Sequence, residues 1–71
     1  MTETTGKIQL VARNVRRLRR DRGYSQSELA RRANVAHSTV WRLEEARHVA
    51  TLAVLERLAK ALRCRVADLL G

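Results

Sequence analysis

Residues Ser25 to Glu45 read SQSELARRANVAHSTVWRLEE, and their spacing decides the architecture. Leu29, Ala30 and Ala33 recur at helical intervals, and Ser25 with Glu28 three residues later is the S-x-x-E pattern that opens a helix. Asn34 closes this run, since asparagine tolerates left-handed dihedrals better than other non-glycine residues. A second run, His37–Glu45, turns Val40 and Leu43 inward. It is entered through Val35, which packs inward, and Ala36, which stands where a capping Ser or Thr is preferred. Two brief helices thus meet at three residues. The outer or flanking side of the second carries His37, Ser38, Trp41, Arg42 and Glu45.

Upstream, Ile8, Val11, Ala12, Val15 and Leu18 share one face of a helix over about Lys7–Arg22. Arg13, Arg16, Arg17 and Arg20 take the other face. Gly23 stops this helix in a left-handed conformation, and Tyr24 folds back as an apolar plug. Residues 1–6 are polar and read as a flexible arm or the run-in to the first helix, which leaves 7–71 as the domain. Downstream, 46–50 reads as a loop. Thr51 caps a helix to Leu62 with the stripe Leu52, Leu55, Leu58, Ala59 and Leu62. Arg63 and Cys64 link it to a short last helix, Val66–Leu70. The expected fold class is all-α: a compact domain of five helices.

A chain of 71 residues holds one domain with a small core. Fifteen basic against seven acidic residues give a net charge of +8, and thirteen of the fifteen are arginine. Arginine's fixed donor fork suits phosphates and guanine edges. Nucleic acid is therefore the first partner class, with an acidic membrane or acidic protein second. Cys64, the lone cysteine, excludes an intrachain disulfide and reads as a half-buried hydrophobe. His37 and His48 stand eleven residues apart with no carboxylate motif joining them, so no metal or other cofactor is expected. GxxxxGK, HExxH and a paired-carboxylate pocket are all missing, so catalysis is not expected either. With no signal-like or membrane-spanning apolar run, a cytoplasmic protein is the default.

Two blocks, RRLRRDRGYSQSELARRANVAHSTVWRLEEA (16–46) and LAVLERLAKALRCRVADLL (52–70), carry a resemblance. The chain resembles the lambda-repressor-like, Cro/C1-type (XRE-like) helix-turn-helix family over about Val11–Leu70. It looks like the small stand-alone regulators of that family, such as restriction-modification controller proteins, antitoxins and prophage repressors. The resemblance implies that Gln26 binds a DNA phosphate and that His37, Ser38 and Arg42 face base edges. It also implies a buried ion pair between Arg19 and Glu44, and a C-terminal or helix-5 dimer surface. Four positions depart from the family pattern: Ala36 for a capping Ser or Thr, Ala46 for glycine, Ala50 for proline and Arg63 for glycine. A positive φ at Ala46 would cost about 1 kcal/mol.

The residues themselves support the same task. A recognition helix needs an apolar face to hold it and an outer face free for the major groove. Arg42 is the best single base reader, because arginine fits guanine O6 and N7 bidentately. Gln26, Ser27, Arg13, Arg16 and Arg47 are backbone candidates. Thr39 could touch a phosphate or pack its methyl inward. Trp41 could lean on the DNA backbone, stack on sugar, or cover the corner between the third and fourth helices. Val49, Val54, Val66, Leu69 and Leu70 are the candidate dimer interface. The expected partner is double-stranded DNA, bound by a homodimer acting as a transcriptional regulator. The rival is a protein-interaction module that binds a toxin or an RNA polymerase subunit, with weak DNA specificity.

Overall fold

The structure is a computed structural model that describes the backbone of residues 2–47 and 50–71, with side chains from Gly6 onward. Among the described residues five helices follow one another: α1 Thr2–Asp21, α2 Gln26–Ala33, α3 His37–Glu44, α4 Leu52–Leu62 and α5 Val66–Leu70. α1 packs against α3 and α5, while α2 lies between α3 and α4. Val15, Leu29, Val40, Leu43, Leu58, Leu62 and Leu69 fill the centre with essentially no solvent exposure. The class is all-α, as the helical spacing of these residues requires.

α1 starts at Thr2, five residues before the expected Lys7. Thr2, Thr4 and Thr5 are weak helix formers and Gly6 weaker still, yet none forbids the helix, and even the glycine costs only about 1 kcal/mol. Helix backbone thus takes in residues 2–6, the stretch that read as an arm or the run-in to the first helix.

Four helix ends close by one device. Gly23, Asn34, Ala46 and Arg63 have φ of 74°, 57°, 56° and 57°. In each case the next residue's N–H reaches five residues back: Tyr24 to Arg19, Val35 to Ala30, Arg47 to Arg42 and Cys64 to Ala59, at 2.9–3.0 Å. This satisfies carbonyls that the helix leaves without partners. Glycine and asparagine accept the conformation readily, whereas alanine and arginine are strained in it by about 1–2 kcal/mol each.

The N-termini differ. Ser25 Oγ accepts the Glu28 N–H at 3.0 Å, and Thr51 Oγ1 accepts that of Val54 at 3.2 Å. The reciprocal half of the S-x-x-E pattern does not form. Glu28's carboxylate instead accepts from Arg31 and Arg32, and those hydrogen bonds hold it below the usual carboxylate range. Ala36 offers α3 no side-chain cap.

Two apolar expectations are corrected. Leu52, placed in the α4 stripe, is 64% exposed, because the first position of the stripe overhangs the core. Leu69, expected on a dimer surface, is fully buried in that core. Val54 and Val66 are half-buried against the core, Leu70 is exposed, and Val49 lies outside the described residues.

Candidate nucleic-acid interface

The candidate interface is built around one buried carboxylate. Glu44, the last residue of α3, accepts from Arg19 Nε at 2.7 Å and Arg19 Nη2 at 3.0 Å. Gln26 Nε2 adds a third hydrogen bond at 3.1 Å. Arg16 comes up from α1 as well, its Nε 3.5 Å from Glu44 Oε1 and its Nη2 donating to the Glu44 carbonyl at 3.1 Å. Burial raises the Glu44 pKa, but the bonds from Arg19 and Gln26 and the two guanidinium charges outweigh it. The carboxyl therefore sits below its usual range and stays ionised. Arg19 Nη1 also donates to the Tyr24 carbonyl at 2.8 Å, which fixes the chain's entry into α2. A single anion thus ties α1, the start of α2 and the end of α3 together.

With α3 held from inside, its outer side is open to solvent. Val40, Leu43 and Glu44 face inward, while His37, Ser38, Trp41, Arg42 and Glu45 are exposed. Thr39 is half-buried at the margin. Ser27 Oγ and His37 Nδ1 lie 3.3 Å apart and join the first turns of α2 and α3. Those two turns present one continuous polar edge containing Gln26, Ser27, His37 and Ser38. Gln26 is half-buried, yet its amide has two donors and only one serves Glu44. Arg13 and Arg47 are exposed.

Arg16 has a role that sequence spacing did not assign. Its guanidinium reaches the Glu44 carbonyl and, at 3.4 Å, Glu45 Oε2. Asn14 was missed altogether: it is buried in α1 and donates from Nδ2 to the Leu69 carbonyl at 3.0 Å. The signal was there, because Asn14 stands on the stripe of Val11, Val15 and Leu18 as its one polar member. Among the described residues, no three metal-ligating side chains gather, and no helix is long and apolar enough to cross a membrane.

Two short helices at a fixed joint, the second anchored by its inner face and bare on its outer one, define a helix-turn-helix domain of the kind found in DNA-binding transcriptional regulators. The chain belongs to the helix-turn-helix domain family, whose model matches residues 10–70, and within it to the Cro/C1-like group. Solved structures agree. A hypothetical transcription factor, NHTF, from Neisseria is 32% identical, with a TM-score of 0.88 over 92% of this chain and 75% of that one. The restriction-modification controller protein C.AhdI from Aeromonas hydrophila is 26% identical, with a TM-score of 0.86 over 90% of this chain and 97% of its own. The clp gene regulator ClgR from Corynebacterium glutamicum is 28% identical, with a TM-score of 0.83 over 89% of this chain and 67% of that one. A comparison with functionally curated proteins finds no match.

Proposed function

We propose that the protein is a sequence-specific regulator of transcription that binds double-stranded DNA as a homodimer, in the cytoplasm where bacterial DNA lies. The observation that carries this reading is the two-sidedness of α3, with Val40, Leu43 and Glu44 buried and Ser38 and Arg42 exposed. α3 enters the major groove, where Arg42 takes a guanine edge and His37 and Ser38 meet neighbouring bases. Gln26, Ser27, Thr39, Arg13 and Arg47 hold phosphates and set register. Arg16, committed to Glu44 and Glu45, contributes less to the backbone than its position in the sequence suggests. Two copies sit about 34 Å apart on a near-palindromic site, joined through Leu70, Val54 and Val66. The similarity to a restriction-modification controller protein at 26% identity supports a regulator of that kind.

Selection of bound duplexes from a random library, with sedimentation of the complex, tests this. An enriched two-fold sequence bound by two chains is expected, with affinity falling steeply as salt rises. Arg42→Ala should cut the ratio of specific to non-specific affinity by about 5–150-fold, the worth of one bidentate pair. Gln26→Ala should weaken both kinds of binding alike. An unchanged ratio in Arg42→Ala would remove Arg42 as the reader.

A second reading, docking of a toxin or an RNA polymerase subunit, has one observation in its favour. A groove of about 490 Å³ between α2 and α4 is lined by Tyr24, Arg32, Asn34, Arg57, Lys60 and Arg63, with no carboxylate in its wall. It suits an acidic surface, and binding retained on scrambled duplex alone would favour this reading.

A further inference from the structure

The four left-handed closures differ in one respect. Five residues before the left-handed residue stand Leu18 in α1, Leu29 in α2 and Leu58 in α4, all packed in or against the core. Each is followed past the closure by a partly buried Tyr24, Val35 or Cys64. In α3 the same two places hold Trp41, 44% exposed, and Arg47, exposed. The apolar contact that usually accompanies such a closure is replaced by a guanidinium 5.7 Å from the indole centroid. Arg47's N–H also bonds to the Arg42 carbonyl at 2.9 Å, which pins the loop to α3. One face of the ring is thus backed by a cation, and much of the ring is open to solvent.

Trp41 lies four residues after His37 and three after Ser38, so the three share a helix face. Helical side chains slant toward the N-terminus, which carries the indole over the turn holding those two residues. We infer that Trp41 reads the 5-methyl group of a thymine, so that one operator position is recognised by apolar contact and not by hydrogen bonds. This rests on α3 being the recognition helix. The thymine methyl is the apolar group that bases present in the major groove, whereas a phosphate offers an indole nothing apolar. Arg47 behind the ring supplies the cation for the neighbouring phosphate.

The test uses the operator selected by the full chain, with each thymine replaced singly by uracil, which removes the methyl and leaves every hydrogen-bonding group in place. Wild-type affinity, measured by fluorescence anisotropy, should fall about fourfold at one thymine per half-site, the worth of one buried methyl-sized group. Trp41→Ala should bind thymine and uracil equally at that position, and Trp41→Phe should restore the discrimination. Circular dichroism melts should show both variants folded, since the residue is half exposed. Three results would overturn the assignment. These are indifference of the wild type to every uracil, discrimination that persists in Trp41→Ala, or a Trp41→Ala loss equal on operator and scrambled duplex. Failure to enrich any sequence would overturn the parent reading and this assignment together.

Discussion

The α2–α3 joint and the α4–α5 joint are built alike. Asn34 and Arg63 share φ of 57°, with ψ of 47° and 46°. Val35 and Cys64 follow, each bonding five residues back and each partly buried. Each joint starts from a helix with a hydroxyl cap, Ser25 or Thr51, and leads into a helix whose own N-cap side chain, Ala36 or Arg65, accepts nothing. The difference lies in the anchors. α3 is tied to α1 through an ionised carboxylate held by Arg19 and Arg16, and α5 through a backbone carbonyl held by the Asn14 amide. The joint is therefore a general backbone solution that two parts of one chain adopt. The anchor within and the exposed face without are what set α3 apart from α5.

Removing the anchors should separate the joints most sharply. Glu44→Ala leaves Arg19, whose side chain is 11% exposed, without its counter-charge. It should cost about 3–5 kcal/mol in urea unfolding, whereas replacing both partners by well-packed apolar residues should cost far less. Small, equal losses for the single and double variants would count against the buried pair. Acid should distinguish the anchors too. Glu44's pKa is lowered in the fold, so its contribution is present above the ordinary carboxylate range and is lost as pH falls toward the folded value. Amide protection factors in α3 should therefore drop, relative to those in α5 whose anchor does not titrate, once the pH is below about 4.5. An equal loss of protection in both helices would show that the Glu44 cluster does not hold α3.

Asn14→Ala should follow, at about 1–3 kcal/mol, because it leaves the Leu69 carbonyl without its partner. Its effect should be largest on α5 amides. A loss spread evenly over α3 and α5 would mean that the two anchors act as one.

What the sequence made legible was local. Gly23, Asn34, Ser25 and Thr51 announce their helix ends through conformational tolerance or a hydroxyl at the right place, and the structure puts each there. What it hid depends on residues far apart in the chain. Asn14 meets Leu69 across 55 positions, and Arg16 meets Glu44 across 28. Leu69 and Leu70 are the same residue type side by side, and only packing against α1 and α4 buries one and exposes the other. The roles of His37, Ser38 and Arg42 are a third kind of case. Their outward placement follows from helical spacing, but the base edges proposed for them belong to a partner that the chain's own sequence does not encode.

Arg63→Gly should relieve left-handed strain at the second joint and raise stability by about 1 kcal/mol, the saving of 1–2 less glycine's extra entropy in the unfolded chain. Asn34→Gly should gain less, because asparagine already tolerates the conformation. Gains of the same size would show that side-chain type at the left-handed residue does not distinguish the joints.

The smallest change concerns the start of α3. Ala36→Ser would give the first joint a hydroxyl to match those of Ser25 and Thr51. Such a cap is typically worth about 1 kcal/mol, but the Thr39 N–H already reaches the Ala36 carbonyl at 3.0 Å. The expected gain is therefore at the low end, about 0.5 kcal/mol. The second joint needs such help less, because Asp68 Oδ2 already accepts the Arg65 N–H at 2.8 Å. Parallel urea melts of Ala36→Ser and Arg63→Gly decide the order. If the serine gives the larger gain, the uncapped start of α3 is a weaker point than the left-handed arginine. The two joints would then differ in how firmly their second helix begins as well as in how it is anchored.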